Sequence, residues 1–247
     1  MQNAALAAAG LGDWRYQLLP VPPELFVEVA LALPRAGFRG ANVTIPHKEQ
    51  ALTLAAAASA RARAIGAANT LLFDERGTAY ADNTDAPALI GVLPFPAAGR
   101  TALVLGAGGS ARAVVWALLD AGAHEVRVWN RTAERARALC EQLGAVPALD
   151  GAAPADLLIN CTAGALDASR ETFKQLPVRA DDLITYRCVI DLVYSDRETP
   201  LVEAARSRSV PTVDGRELLV GQGALSFELF TGSPAPVEAM RAAVHRT

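Results

Sequence analysis

The sequence predicts an α/β fold built from two domains, on three observations. From residue 101 onward, short apolar runs alternate with helical patterns, the order expected of a parallel sheet covered by helices. Prolines and glycines interrupt the chain before this series, at Pro96 and Gly99, and after it, at Pro211 and Gly215. The chain has 247 residues, which is long for one domain and sufficient for two.

The part of the chain before this series predicts its own mixture of strands and helices. Apolar and β-branched clusters indicate strands, and alanine-rich or amphipathic stretches indicate helices. The predicted strands cover residues 15–19, 42–45, 70–73 and 78–81, and the predicted helices cover residues 2–9, 22–33 and 48–58. The Asp-Glu-Arg-Gly run at residues 74–77 is typical of a hairpin turn between the last two strands.

The central series and the segment after it complete the prediction. The strands cover residues 102–105, 125–129, 157–161 and 189–193, and the helices cover residues 110–121, 132–143, 200–208, 217–230 and 236–245. The breaks on either side place a central domain at residues 86–215. The two helices after it need an apolar surface on one of the domains to cover their own apolar faces.

Composition excludes several classes of partner. The chain has 23 basic and 26 acidic residues, a net charge of -3 and no basic block, so nucleic acid is not expected. No apolar stretch approaches the ~20 residues that a membrane span needs. Cys140, Cys161 and Cys188 are odd in number and widely spaced, which favours reduced thiols over disulfides or a metal site. We expect a soluble cytoplasmic protein without metal, in which Cys161 and Cys188 are buried core thiols.

A glycine-rich turn follows the first strand of the central domain. Residues 106–111 fit the pattern Gly-x-Gly-x-x-Gly/Ala. Gly106 allows the tight turn, Gly108 lets the backbone approach a pyrophosphate, and Ala111 permits close packing of the helix. Backbone amides at the helix start, including those of Gly109 and Ser110, bind phosphate. The turn therefore predicts a dinucleotide site.

The residues after the next strand indicate which dinucleotide binds. An NAD site usually has an acidic residue at this point, whereas this chain has Asn130, Arg131 and Thr132, which offer a cation and a hydroxyl to a 2′-phosphate. Arg135 lies one helical turn further on and can face the same phosphate. NADP is favoured over NAD. The alternative is that Arg131 is a solvated residue at a helix start and Thr132 is the N-cap.

Lys48 is one of only two lysines among the 23 basic residues. It closes the run Gly-Ala-Asn-Val-Thr-Ile-Pro-His-Lys at residues 40–48. An ammonium can exchange protons near neutral pH when it is partly buried, whereas a guanidinium stays charged. Lys48 is therefore a candidate for proton transfer. The alternative is a solvated lysine near the start of a helix at residues 46–58.

The order of these motifs resembles the shikimate dehydrogenase family. The matching segments are residues 40–48 (ending in His-Lys), 66–70 (Gly-Ala-Ala-Asn-Thr), 82–85 (Asp-Asn-Thr-Asp), 106–111, 189–201, 213–215 (Val-Asp-Gly) and 222–224 (Gln-Gly-Ala). The resemblance extends over essentially the whole chain. It implies a Rossmann-like NADP domain at residues 86–215, inserted in a discontinuous α/β substrate domain at residues 1–85 plus 216–247.

The resemblance also implies a reaction. The family carries out the reversible, NADP-dependent reduction of 3-dehydroshikimate to shikimate, in the biosynthesis of chorismate and the aromatic amino acids. The expected partners are therefore NADP and this small-molecule substrate, in a monomer or a homodimer. By the same resemblance Lys48 and Asp85 are the catalytic pair, and which of the two transfers the proton stays open because a coupled pair titrates as a unit.

The remaining site residues follow from the same resemblance. Thr44 and Asn69 bind hydroxyls of the substrate ring, and Gln222 reaches the substrate from the C-terminal helix. Tyr194 lies near the nicotinamide or the ring, or else packs in the core. Thr162, in a variant of the loop that borders the nicotinamide, and Gly215 complete the cofactor site.

The start of the chain departs from the family pattern. The family begins with a strand and a Ser-x-Ser loop that holds the substrate carboxylate, and the sequence shows neither before the helix predicted at residues 2–9. We therefore expect a truncated or misassigned start of a longer protein. Two alternatives stay open: an NADP-binding or sensing module with weak or no catalysis, and a quinate/shikimate dehydrogenase that uses NAD.

Overall fold

The computed structural model describes residues 1–149, 154–162, 172–193 and 198–245. It confirms the α/β class. The chain divides into two compact units, unit 1 (Met1–Ala88 with Val220–Thr247) and unit 2 (Leu89–Leu219). The predicted borders follow residues 85 and 215. The units divide after Ala88 and Leu219, and each of these divisions falls inside a continuous helix. Among the described helices, none combines the length and the apolar character that crossing a membrane requires.

Unit 1 contains a four-stranded mixed sheet. Its strands are β1 (Gly40–Asn42), β2 (Ala57–Ala58), β3 (Thr70–Phe73) and β4 (Ala79–Asp82), in the order β1-β3-β4-β2. β3 pairs antiparallel with both β1 and β4, and β2 pairs parallel with β4. Its helices, two of which continue into unit 2, are α1 (Gln2–Ala8), α2 (Phe26–Ala32), α3 (Lys48–Leu54), α4 (Ala60–Ile65), α5 (Asp85–Val92), α9 (Gly215–Thr231) and α10 (Val237–His245).

Three predicted elements of unit 1 are wrong. The strand predicted at residues 42–45 ends at Asn42, because the chain turns at Ile45 and Pro46. Residues 15–19 do not form a strand, because the backbone of Tyr16 bonds to the side chain of Asn3: its N–H donates to Oδ1 at 2.9 Å and its carbonyl accepts from Nδ2 at 2.8 Å. The helix predicted over residues 48–58 ends at Leu54. Ala57 and Ala58 pair with β4 instead, so sheet pairing outweighs the helix propensity of alanine.

Two hydrophobic clusters stabilise unit 1. The first packs α2 and α3 against the sheet, with Phe26, Leu71 and Phe73 among its buried members. The second joins the two ends of the chain, since Leu6 of α1 packs in one cluster with Phe227 of α9 and other buried residues of the C-terminal helices. Unit 1 is therefore assembled from segments that are separated by the whole of unit 2.

Unit 2 contains a six-stranded parallel sheet. Its strands are β5 (Thr101–Leu105), β6 (Glu125–Trp129), β7 (Val146–Pro147), β8 (Leu157–Asn160), β9 (Cys188–Asp191) and β10 (Thr212–Val213), in the order β10-β9-β8-β5-β6-β7. The helices wholly inside this unit are α6 (Gly109–Asp120), α7 (Ala133–Leu143) and α8 (Pro200–Arg206). The βαβα alternation and the parallel sheet are as predicted.

The sheet register brings four strand ends to one edge. Leu105 pairs with Trp129 on one side and with Asn160 on the other, and Asn160 pairs with Asp191. The segments that follow β5, β6, β8 and β9 therefore start side by side. Ligands of open parallel sheets bind beyond this carboxyl edge.

All three cysteines lie in the described part of the chain and carry thiols rather than disulfides. Burial raises the pKa of Cys140 and of Cys188 to about 11, so both stay protonated at neutral pH. The prediction of a buried core thiol is confirmed for Cys188 and is wrong for Cys161, which lies one residue beyond β8 and is only partly buried.

Candidate active site

A buried ion pair lies at the starts of two helices of unit 1. Lys48 is the first residue of α3 and Asp85 is the first residue of α5. The Lys48 Nζ atom donates to Oδ2 of Asp85 at 2.7 Å, and the two residues are 8% and 7% exposed. Lys48 is therefore not a solvated helix-start residue. An amine held against a carboxylate in this way can exchange a proton with a bound hydroxyl.

Asn69 holds the other oxygen of the Asp85 carboxylate. Its Nδ2 atom donates to Oδ1 of Asp85 at 2.9 Å. Its own Oδ1 accepts from the backbone N–H of Thr84 at 2.8 Å and from the Thr70 hydroxyl at 3.0 Å. The backbone N–H can only donate, so this contact fixes which end of the amide faces the carboxylate. Asn69 is 2% exposed and is locked in place.

The turn from β4 into α5 is tied to the segment that carries Asn69. The Asn83 side chain donates through Nδ2 to the carbonyl of Ala67 at 3.0 Å and accepts from the N–H of Ala86 at 3.2 Å. Asn83 and Thr84 are fully buried. Because Ala86 follows Asp85, this amide helps to set the position of the Asp85 carboxylate.

A second ion pair, between Arg61 and Asp82, supports the same turn. Arg61 donates to both oxygens of Asp82, at 2.8 Å and 2.6 Å, and the Ser59 hydroxyl donates to Oδ1 at 2.5 Å. Burial alone would raise the pKa of Asp82, but these hydrogen bonds and that of the Asn83 N–H hold it below its usual value. Asp82 is therefore an ionised, buried anchor for the turn.

Sequence reasoning missed the supporting residues rather than the ion pair itself. Asp82, Asn83 and Thr84 belong to a matching motif, but no role of their own was predicted for them. Asn42 was also missed: it donates to Thr70 at 3.4 Å and accepts from the Tyr16 hydroxyl at 3.1 Å. The sequence signal that could have indicated Asn42, Asp82, Asn83 and Thr84 is the presence of several polar residues within or directly after apolar strands.

The other residues predicted to bind substrate differ in their placement. Gln222 lies beside the pair, since its Oε1 accepts from Nδ2 of Asn69 at 3.4 Å. Thr44 is exposed and lies in the turn after β1, where its carbonyl accepts from the N–H of His47 at 2.9 Å. Tyr194 lies outside the described residues.

His47 precedes Lys48 in the chain but is part of the packing. Its ring stacks on Phe26 with centroids 4.4 Å apart, and its Nε2 lies 3.0 Å from the carbonyl of Val21. Nε2 must carry the proton to donate to this carbonyl. Nδ1 is buried and meets no hydrogen-bond partner among the described residues. The ring is therefore enclosed by protein rather than turned toward a ligand.

The glycine-rich turn of unit 2 leaves its backbone open. Gly106 has φ +110°, and a Cβ atom there would lie 3.2 Å from the backbone of Cys161. Gly108 is the N-cap of α6, and a Cβ atom there would meet nothing within 4 Å. Ala111 is fully buried. The turn therefore presents the amides of Gly109 and Ser110 with room for a phosphate, which fits the predicted dinucleotide.

A cavity of about 410 Å³ lies at the carboxyl end of β6. Asn130 and Arg131 line it, and Asn130 is fixed by a 2.9 Å hydrogen bond from its Nδ2 to the carbonyl of Thr132. Thr132 is the N-cap of α7, and both Thr132 and Arg135 are exposed but are not among the lining residues. The full lining is Trp129, Asn130, Arg131, Ala133, Ala136, Ala148, Leu149, Lys174 and Gln175.

A buried network joins the ends of β8 and β9. Asp191 is fully buried and accepts from Asn160 at 2.9 Å, from the Thr199 hydroxyl at 2.6 Å and from the N–H of Val193 at 3.1 Å. Burial raises the pKa of Asp191 although these donors oppose the rise. Asn160 in turn accepts from the N–H and the hydroxyl of Thr162. The network therefore fixes the backbone around Thr162.

Gly215 lies against the same edge of unit 2. A Cβ atom on this residue would stand 2.6 Å from the carbonyl oxygen of Leu192 and 2.7 Å from that of Val193. Only glycine permits this approach of α9 to the backbone after β9. The predicted cofactor residues Thr162 and Gly215 therefore flank the segments that leave β8 and β9.

The fold and the site together define the class of protein. A Rossmann-type parallel sheet with an open glycine-rich turn, in a chain that also holds a buried lysine–carboxylate pair, is the arrangement of a dinucleotide-dependent oxidoreductase. Comparison with known proteins names the family within this class. The chain belongs to the shikimate dehydrogenase family.

Three family models together match most of the chain. They describe the shikimate dehydrogenase substrate binding domain at residues 1–71, shikimate/quinate 5-dehydrogenase at residues 94–192 and the shikimate 5′-dehydrogenase C-terminal domain at residues 215–245. Shikimate dehydrogenase (NADP(+)) of Nitrobacter hamburgensis is 45% identical over 241 residues, which are 93% of this chain and 82% of that protein.

Solved structures show the same similarity. Shikimate 5-dehydrogenase of Thermus thermophilus, in complex with NADP(H) and shikimate, has 37% identity and a TM-score of 0.86, over 99% of this chain and 92% of that one. The ligand-free 5-ketofructose reductase of a Gluconobacter species has 28% identity and a TM-score of 0.85, over 99% of this chain and 91% of that one.

Proposed function

We propose that this protein catalyses the reversible, NADP-dependent reduction of 3-dehydroshikimate to shikimate in the biosynthesis of chorismate and the aromatic amino acids. The observation that carries the proposal is the buried contact between Lys48 and Asp85, braced by Asn69. Unit 1, which holds this contact, is the proposed substrate domain, and unit 2 is the proposed NADP domain.

The residues of unit 1 supply the proton chemistry. In the direction of reduction, Nζ of Lys48 donates a proton to the substrate oxygen as the carbonyl carbon becomes an alcohol carbon. In the direction of oxidation, the same nitrogen accepts the hydroxyl proton. Asp85 orients the amine and balances its charge, and Asn69 keeps the carboxylate in place. Gln222 and Thr44 are proposed to bind the other polar groups of the ring.

The residues of unit 2 fit NADP. The turn from Gly106 to Ala111 has open space at Gly108 for the pyrophosphate, and Arg131 lines a cavity where the adenosine 2′-phosphate is proposed to bind. When bound, the cofactor would accept the hydride as NADP⁺ or supply it as NADPH. Thr162 and Gly215 flank the proposed nicotinamide side, and Thr132 and Arg135 are proposed to contact the phosphate from the exposed start of α7.

The test is shikimate oxidation with NADP, followed through the absorbance of the reduced nicotinamide. The variant Lys48→Ala should lower kcat by at least about a hundredfold, because it removes the group that moves the proton. The variant Glu49→Ala changes the exposed neighbour in α3 and serves as the matched control, with kcat close to that of the wild type. Tight NADP binding without turnover in the wild type would instead support a sensing module.

A second experiment separates the related activities. Initial rates are compared for NADP and NAD, each with shikimate, quinate and the reduced product of 5-ketofructose, the last because of the similarity to 5-ketofructose reductase. We expect NADP with shikimate to give the highest kcat/KM. A higher value for quinate with NAD, or for the sugar, would reassign the substrate while keeping the oxidoreductase class.

Location and assembly are separate proposals. We propose a cytoplasmic protein that is a monomer or a homodimer. Fractionation of cells and light scattering of the purified protein test the two statements.

A further inference from the structure

The second lysine of the chain lines the same cavity as Arg131. Lys174 ends a short 3₁₀ helix, Thr172–Lys174, in the segment between β8 and β9. No motif in the sequence points to it. Lys48 and Lys174 are the only two lysines in the chain, so both amines occur beside a candidate ligand site.

The segment around Lys174 is held against the sheet. Phe173 and Leu176 pack on the buried cluster of unit 2. Trp129 and Ala148, which line the cavity, pack on the same cluster. The part of the cavity wall that carries Lys174 is therefore joined through the core to the part at the end of β6, and the side chain of Lys174 starts from an anchored position.

The chemistry of the wall selects a kind of ligand. Among the described lining residues, Arg131 and Lys174 are cations and none is acidic. Asn130 and Gln175 supply amides, and Trp129 with the alanines and Leu149 supplies apolar surface. A flat aromatic base that carries an anionic group fits this combination, since apolar walls bury the base and cations bind the anion.

We propose that Lys174 is a specificity-determining residue that binds the adenosine 2′-phosphate of NADP together with Arg131. The inference rests on the proposed function, because it assigns the cavity to the adenosine half of the same cofactor. Lys174 contributes a compact, mobile point charge, whereas Arg131 contributes a planar fork. Two cations from different segments distinguish NADP from NAD more strongly than Arg131 alone.

The experiment measures binding of adenosine 2′,5′-bisphosphate and of 5′-AMP, with the tryptophan emission of the protein as the signal. The variant Lys174→Ala should raise the Kd of the bisphosphate about five- to tenfold and that of AMP by less than about twofold, because only the bisphosphate carries the 2′-phosphate. Lys174→Arg should restore most of the affinity. Arg137→Ala removes an exposed charge of α7 outside the cavity lining and should change neither Kd.

The outcomes separate this inference from the function on which it rests. Wild-type binding of the bisphosphate with no effect of Lys174→Ala, or with an equal loss for both ligands, overturns the inference alone. A wild-type protein that binds neither the bisphosphate nor NADP overturns the proposed function as well. Unchanged circular dichroism of Lys174→Ala establishes that a loss of binding is not a loss of fold.

Chemical labelling gives an independent measurement on the wild-type protein. Lys174 is exposed and Lys48 is 8% exposed, so an amine-reactive reagent should modify Lys174 first. The bisphosphate should slow labelling of Lys174 severalfold, as measured by peptide mass spectrometry, and AMP should protect it less. Equal protection by the two nucleotides, or none, overturns the inference.

Discussion

The two candidate sites of this protein are built in opposite ways. In unit 1 the chemistry depends on side chains, since Lys48 and Asp85 are held by a chain of hydrogen bonds through Asn69, Asn83 and Asp82. In unit 2 the glycine-rich turn depends on the lack of side chains, since Gly106 packs closely against the backbone of Cys161 and Gly108 leaves open space for a phosphate. Substitution of a supporting residue such as Asn69 or Asp82 should therefore affect the first site indirectly. A glycine-to-alanine substitution, which adds one carbon atom, should affect the second site directly.

Among the residues that support the two sites, the largest effect should come from Asn69, which fixes the proposed catalytic carboxylate. Asn69→Ala removes the donor to Asp85 and leaves the Thr84 N–H buried without its acceptor. We expect kcat/KM for shikimate to fall about 10²- to 10³-fold, while the Kd for NADP stays unchanged. Thr53→Ala, an exposed change in α3, is the control. A parallel loss of NADP binding would show that damage to the first site spreads to the second.

Two variants of the glycine-rich turn should affect different properties, Gly106→Ala the stability of the protein and Gly108→Ala its binding of NADP. Gly106→Ala should lower the free energy of unfolding by about 2 kcal/mol, because φ is +110° and the new Cβ atom approaches Cys161. Gly108→Ala meets no protein atom, so the free energy of unfolding should stay within about 0.5 kcal/mol of the wild type. NADP affinity should nevertheless fall about tenfold in Gly108→Ala, because the backbone can no longer approach the pyrophosphate.

Urea denaturation and calorimetric titration of NADP measure the two quantities. Equal losses of stability in both glycine variants would contradict the interpretation that Gly108 serves the ligand and Gly106 serves the turn.

The last effect concerns the support under the β4–α5 turn. Asp82→Asn weakens the pair with Arg61, and at neutral pH the free energy of unfolding should fall by about 2 kcal/mol. The hydrogen bonds hold the folded pKa of Asp82 below its usual 3.8 despite burial. Its stabilisation is therefore complete above this value and is lost as the pH falls through the folded pKa. The difference between wild type and variant should shrink below about pH 4.

Denaturation at a series of pH values checks this sign. Asp181→Asn, which weakens the exposed pair with Arg208, is the matched control and should cost clearly less stability. A difference that grew on acidification would contradict the assignment of Asp82 as an ionised anchor.

The sequence predicted the second site more completely than the first. The glycine pattern works through backbone conformation, and Gly106, Gly108 and Ala111 each need a particular residue type at a fixed spacing, so the pattern is visible in one dimension. The support of Asp85 depends on segments that meet only after folding, such as Ala67 with Asn83 and Arg61 with Asp82. The residues next to each of these positions in the sequence do not indicate which distant segment it will contact after folding.

The helix predicted at residues 48–58 and the strand predicted at residues 15–19 are wrong for the same reason, because contacts with other segments decide the structure there. The run of alanines after Leu54 favours helix locally, but Ala57 and Ala58 bond to a strand more than twenty residues later in the chain. Tyr16 has the β propensity of a strand residue, yet its backbone partner is the side chain of Asn3. Lys174 was overlooked for a related reason, since the cavity that it lines is assembled from three separate segments of the chain.

The discontinuity of unit 1 sets an order on folding during synthesis. Unit 2 is one continuous stretch, Leu89–Leu219, and can form its core as soon as that stretch has left the ribosome. The cluster that holds Leu6 has to wait for Phe227 and Met240, which are made only after all of unit 2. The apolar face of α1 therefore lacks these C-terminal partners until more than two hundred further residues have been translated.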